Sequence, residues 1–132
     1  MKVILCGLMG LLFSAGSTAA TVVYIDVTHP LVRPDVTVIE LDAALRMQQQ
    51  LFGSLSADPQ QAEQQARRIT GSSSFKRSQP LLAKAWSDVA HAWAIGLRKY
   101  PAVVFDDTWV VYGTTDVDVA RQQLAAWQVR HP

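Results

Sequence analysis

An α/β architecture, a mixed central sheet covered by helices, is what this sequence predicts, and three observations predict it. Two β-branched apolar stretches come early, Thr21–Val27 (TVVYIDV) and Val36–Leu41 (VTVIEL). The middle of the chain, from Asp42 to about Lys99, carries helical periodicity. The last third reads strand, turn, strand, helix. Strands on both sides of a helical middle bury their faces most simply in one sheet with helices packed over it.

The chain has 132 residues, 49% apolar and 17% charged, which is enough for one ordinary domain and too little for two. Its first 20 residues read as an export signal. Lys2 supplies the positive n-region, and Val3–Phe13 (VILCGLMGLLF) is an apolar core too short for a hydrocarbon layer of about 30 Å. Ser14–Ala20 then offers small residues for cleavage near Ala20. Residues 21–132 form the expected mature domain, placed in a bacterial periplasm with no membrane-spanning segment. Loss of Lys2 takes the formal net charge from +1 to zero, which argues against nucleic acid, since phosphate binding needs a basic face. The only cysteine, Cys6, leaves with the leader. The mature domain therefore has neither a disulfide nor thiol chemistry, and its stability must come from an ordinary core.

The first strand, Thr21–Val27, is stopped by Thr28-His29-Pro30, and Pro34 keeps the connection extended. In Val36–Leu41, Val36, Val38 and the stem of Glu40 face one side and Thr37, Ile39 and Leu41 the other. Asp42 is placed to cap a helix whose apolar side is Leu45, Gln48 and Phe52, flanked by Ala44 and Leu51. Gly53-Ser54 ends it. Asp58-Pro59 opens the next helix, whose thin stripe of Ala62, Ala66 and Ile69 keeps it on the surface. Gly71–Ser74 reads as a mobile loop flanked by Arg67-Arg68 and Lys76-Arg77, a solvated face. After Ser78 and a first-turn Pro80, a long helix is expected to about Lys99. Its stripe of Leu82, Trp86, Val89, Trp93 and Leu97 would bury two indoles. Ala102–Phe105 (AVVF) and Thr108–Tyr112 (TWVVY) form a hairpin about Asp106-Asp107, closed by Gly113. Thr115 and Asp118 have capping-box spacing for a last helix carrying Val117, Ala120, Leu124 and Trp127.

Lys99–Gly113 (KYPAVVFDDTWVVYG) resembles the C-terminal half of a thioredoxin-like domain. The resemblance implies a cis Pro101 at the head of its strand, facing the end of the first strand. It also implies no redox activity here, because the place of Cys-x-x-Cys is taken by Thr28-His29-Pro30-Leu31. A second resemblance covers about Val22 to Trp127. The strand before Thr28-His29-Pro30, Glu40-Leu41-Asp42 before a helix, Asp88 to Trp93, Pro101–Asp106 and Val110–Asp116 come in the order seen in a family of small exported proteins encoded by integrating conjugative elements. That resemblance implies an accessory component of a conjugative, type IV secretion-like transfer apparatus, with other envelope proteins as partners.

Candidate chemistry is sparse. His29 sits at a strand end beside the expected cis-proline, but His91 and His131 stand alone and no metal-ligand spacing occurs, so His29 reads as a turn histidine bonded to local backbone. Asp26 is either a buried carboxylate with a raised pKa or a strand-end residue in water. Asp106-Asp107 reads as turn chemistry. Trp86, Trp93 and Trp127 read as core, and Trp109 as either core or a partner anchor. No catalytic residue, cofactor or metal is assigned. His29, Pro30, Tyr100, Pro101 and Trp109 form the candidate partner groove, suited to an extended peptide added as a strand. The alternatives are a periplasmic enzyme using His29 with Asp26, and a chaperone-like factor for secreted subunits.

Overall fold

The computed structural model describes residues 20–33 and 35–132. The expected leader up to Ala19, Cys6 within it, and Pro34 lie outside the described residues. The elements are β1 (Thr21–Ile25), β2 (Thr37–Glu40), α1 (Ala43–Phe52), α2 (Pro59–Thr70), α3 (Ser73–Ala94), β3 (Ala102–Phe105), β4 (Trp109–Tyr112) and α4 (Val117–Arg130). The four strands form one mixed sheet in the order β2-β1-β3-β4. β1 and β2 are parallel, with Ile25 beside Glu40. β3 runs antiparallel to both β1 (Tyr24 beside Ala102) and β4 (Ala102 beside Tyr112). The crossover from β1 to β2 shows no helix in its described residues, although such crossovers usually carry one.

The central strands β1 and β3 are apolar on both faces because both faces are covered. On one face Val23, Ile25, Val103 and Phe105 pack with Val117 and Ala120 of α4, and Leu31 and Val36 of the crossover seal the margin. On the other, Tyr24 and Val104 pack with Ala92 from the last turn of α3 and with Ile95 and Leu97 beyond it. The alternation in β2 follows the expected split, Val38 to the first face and Ile39 to the second.

The helical layer departs from expectation in several places. In α1 the inward residue is Ala44, with Met47 and Leu51 half-buried behind it, while Leu45 and Gln48 are exposed. One helical step of rotation separates the two stripes, and contact with α3 selects the one with the smaller first residue. Asp42 occupies the cap position without a capping bond. Its Oδ2 instead accepts from the Val27 N–H at 3.3 Å and pairs with Arg46 Nε at 3.2 Å, tying the exit of β1 to α1.

Gly71–Ser74 is not a loop. Ser72 caps α3 by accepting from Phe75 N–H at 3.1 Å and closes α2 by donating its hydroxyl to Ile69 O at 2.6 Å, so two helices abut there. Pro80 consequently lies inside α3 and not in its first turn. α3 ends at Ala94, not near Lys99. Leu97 N–H donates to Ala92 O and Gly96 N–H to Trp93 O, both at 3.0 Å, with Gly96 at φ +79°, which is a Schellman closure. Only the last turn of α3 reaches the sheet, which leaves Trp86 outside, and within that turn Ala92 faces inward while Trp93 points away, so both indoles expected in the core are exposed.

The hairpin turns at Asp106 and Asp107, with φ 54° and 52°, the left-handed pair that matches strand twist in a two-residue turn. α4 is capped by Asp116, whose Oδ1 accepts from Asp118 and Val119 N–H at 2.9 and 3.1 Å. The expected Thr115 capping box is absent because the chain enters the helix one residue later, with Thr114 Oγ1 accepting from Asp116 N–H. Trp127, expected in the core with Val117 and Ala120, is about two-fifths exposed, packed on Trp109 of the edge strand β4. Among the described residues, no helix is long and apolar enough to cross a membrane.

Asp116→Ala should lower stability by about 1 kcal/mol, whereas Thr115→Ala should leave it within about 0.5 kcal/mol. Urea unfolding of both variants checks the assignment, and equal losses would refute it.

Candidate functional site

The registers put the ends of β1, β2 and β4 and the start of β3 at one end of the sheet. In open α/β sheets the crevice outside the carboxyl ends of parallel strands is where ligands settle. Asp26 to Pro30 leave β1 there, Leu41 and Asp42 leave β2, and Tyr100 and Pro101 enter β3. The Tyr100–Pro101 bond is cis, as the sequence resemblance implied, and Pro101 O accepts from Gly113 N–H at 2.9 Å. Four of the five sequence-selected groove residues, His29, Pro30, Tyr100 and Pro101, thus share one end. Trp109 does not join them. It starts β4 beside Phe105, about 10 Å along the strand from Tyr112.

Beside Tyr100 lies a hollow of about 210 Å³, walled by Leu41, Val89, Ala92, Trp93 and Leu97 and rimmed by Arg98, Lys99 and Tyr100. Its floor is the helix closure itself, since Ala92 and Leu97 are the residues joined by the wider-spanning bond of that motif. Trp93, next to Ala92, is left outside the core at 81% exposure, and Tyr100 is 46% exposed. The rim is positioned by β4. The Arg98 N–H donates to Tyr112 Oη at 3.1 Å, and Lys99 Nζ lies 5.3 Å from the Tyr112 ring centroid, a cation–π contact. Periodicity alone put Trp93 and Leu97 on one buried helical stripe. The signal that corrects this is Gly96, a left-handed helix stop three residues after the indole.

His29 and Asp26 are in contact. His29 Nδ1 is 2.6 Å from Asp26 Oδ1, and the Thr28 hydroxyl donates to the same oxygen at 2.8 Å. His29 N–H donates to Asp26 O at 3.1 Å, so the histidine of this turn is held by a carboxylate as well as by backbone. Hydrogen bonds from His29, then Thr28, hold the Asp26 carboxyl below the usual range, outweighing the partial burial that would raise it. Of the two readings of Asp26, the raised carboxyl is therefore the one set aside. Thr28 Oγ1 lies 2.9 Å from His29 Nδ1, the nitrogen Asp26 already holds, while Nε2 bonds no described residue. A nucleophile would be needed at Nε2 for a triad-like relay, so these three residues form a clamped turn.

Within the crossover lies a pair that the sequence reading did not single out. Arg33 donates from Nε and Nη2 to both carboxylate oxygens of Asp35, at 2.8 and 2.6 Å. This fork brings the Asp35 carboxyl down to about 2, the hydrogen bonds with Arg33 being the largest cause. At the far end of the sheet, Asp106 and Asp107 point apart. Asp106 Oδ1 accepts from Ala20 N–H at 3.0 Å, and Asp107 Oδ2 lies 2.9 Å from His91 Nε2 on α3. The buried Tyr24 hydroxyl has no hydrogen-bond partner among the described residues, and burial, then Asp107 and Asp88, push its pKa up. Trp109 packs on Trp127 with centroids 5.6 Å apart, and His131 stacks on Trp127 at 4.4 Å. Together with Val111, Leu124 and Gln123, these two indoles line an uncharged hollow of about 360 Å³ along β4. No group of three or more metal-ligating side chains occurs among the described residues.

Gly96→Ala should cost about 1–2 kcal/mol, because the position is left-handed even though nothing lies within 4 Å of an added Cβ. An unchanged urea midpoint would show that α3 closes in some other way. Asp26 and Asp35 both titrate below the unfolded carboxylate value of about 3.9, so their contacts stabilise the fold fully above that pH and less as pH falls toward 2. Unfolding measured between about pH 5 and 2 should show a shallower loss in Asp26→Asn and Asp35→Asn than in the parent. Identical acid limbs would contradict both contacts.

Residues 18–130 match the model of a family described as "Protein of unknown function (DUF1525)". No curated protein and no solved structure matches the chain.

Proposed function

We propose that this chain, which belongs to the DUF1525 family, is a non-catalytic binding module of the bacterial periplasm. In this reading it is an accessory component of the conjugative, type IV secretion-like transfer apparatus of an integrating conjugative element, and it binds other envelope proteins. The observation that carries the binding function is Trp93. An indole 81% exposed, set in an apolar hollow beside the half-exposed Tyr100, stabilises the fold little and offers a partner a desolvating anchor.

The thioredoxin-like frame is supported by the β3–β4 hairpin, the cis Pro101 at its head lying next to the end of β1, and the closing helix α4. It is weakened by the crossover, which has no described helix where that fold places one after its first strand. The context of a mobile element rests on the ordered motifs from Val22 to Trp127. Those motifs supply the clamped turn at Thr28-His29-Pro30, the Asp42 tie, the Trp93 wall and the β3–β4 hairpin. Of the five sequence-selected groove residues only Tyr100 lines this hollow, beside Trp93, Leu41 and Leu97; His29, Pro30 and Pro101 lie at the same end of the sheet outside its lining, and Trp109 stands apart.

The contact between His29 and Asp26 favours one second reading, an enzyme, since it orients an imidazole at the same end of the sheet. Its Nε2 meets no described nucleophile, and binding remains the better account.

Tagged protein precipitated from a donor strain should recover envelope-spanning transfer proteins, and Trp93→Ala should cut that recovery about tenfold. The same variant should keep its stability within about 0.5 kcal/mol, since the side chain is mostly in water. His29→Ala should mate normally, and loss of transfer by a folded His29→Ala protein would put the enzyme first. Recovery of no envelope protein, with normal mating by a deletion strain, would remove the proposal.

A further inference from the structure

The hollow beside Tyr100 is electrically lopsided. Arg98 and Lys99 stand on its rim, and neither lies within 4.0 Å of any described carboxylate, as the ion pairs at this end involve other cations. The acids nearby are occupied. Asp26 is held by His29 and Thr28, Glu40 and Asp42 by Arg46, and Asp88 by Lys84. Lys99 Nζ rests over the Tyr112 ring, and the Arg98 main chain is held by its N–H bond to Tyr112 Oη, so the fold sets the Lys99 ammonium and the point from which the Arg98 side chain leaves the backbone.

Resting on the peptide-binding reading, we infer that this hollow is selective for an acidic partner segment. One large apolar side chain of the partner enters beside Trp93, and an adjacent carboxylate meets Arg98 and Lys99. Charge complementarity names the sign, and the volume of about 210 Å³ suits one side chain. An anionic membrane surface is the rival occupant for a Trp, Tyr and two cations. Surface attachment to anionic lipid uses clusters of about four to eight basic residues, and here there are two beside a concave wall.

The test uses three fluorescent peptides, Gly-Ser-Leu-Phe-Asp-Glu-Ser-Gly, its Asn-Gln counterpart and its Lys-Lys counterpart, titrated with purified protein by anisotropy. The acidic peptide should bind about five- to tenfold more tightly than the neutral one, and the basic one more weakly than either. That preference should shrink as salt rises from about 0.05 to about 0.5 M. It should vanish in the double variant Arg98→Gln/Lys99→Gln, whose affinities for the three peptides should converge while its circular dichroism spectrum stays unchanged. Equal affinity for all three peptides, lost together in Trp93→Ala, would overturn the charge selectivity and leave the peptide-binding reading standing. A preference that survives the double variant would also overturn it. Binding of none of the peptides would overturn both, and capture of phosphatidylglycerol vesicles in their place would assign the surface to lipid.

Discussion

The closure of α3 at Gly96, through the bonds from Leu97 to Ala92 and from Gly96 to Trp93, sets both the second core and the candidate site. Because the helix stops there, Ala92 can settle on Tyr24 and Val104, and Leu97 folds back beside it. The same stop releases the chain in time for Tyr100 and Pro101 to reach the head of β3 next to the end of β1. Trp93, one residue past the buried Ala92, rotates away from the sheet. A helix running on to Lys99 would place Leu97 below Trp93 on one stripe and would leave too little chain to enter the strand.

That closure acts against a rigid platform. β1 and β3 occupy the middle of the sheet, and every residue of β3 is buried. α4 covers one face so closely that Val117 and Ala120 leave almost no exposed surface. The crossover, lacking a described helix, is held by side chains: the Arg33–Asp35 fork, the Asp26 turn, and Asp42 reaching back to Val27. α3 is also tied to the hairpin through His91 and Asp107. The end of the sheet that bears the hollow is thus cross-linked by several side-chain contacts, an arrangement that would leave little to order under the proposed binding role.

Electrostatics at that end separates structure from function. The Asp26 carboxylate, which burial alone would hold protonated to higher pH, instead ionises readily because two donors converge on it. Its charge is consumed inside the turn, as are those of Glu40, Asp42 and Asp88 in their own pairs. Arg98 and Lys99 have no such partners among the described residues, and they flank the exposed Trp93 and Tyr100. Local pairing therefore leaves a surface that is apolar in its wall and positive at its rim.

The strands were legible almost to the residue, because Val, Ile, Phe and Tyr at a period of two declare a half- or fully buried pleat without help from elsewhere. The paired alternation of Val38 and Ile39, the Asp106-Asp107 turn, the Asp58 cap and the α/β class followed from the same local rules. Serine chemistry misled, since Gly71–Ser74 looked like a loop while Ser72 joined two helices end to end. What sequence by itself determined is the set of elements, their order and their two-sided sheet, because these depend on backbone preference and on spacing between near neighbours. Tertiary structure alone decided that the indoles stay exposed, which direction Asp26 shifts and that Trp109 stands away from Tyr100, because each depends on which surfaces meet, and only the last turn of α3 meets the sheet.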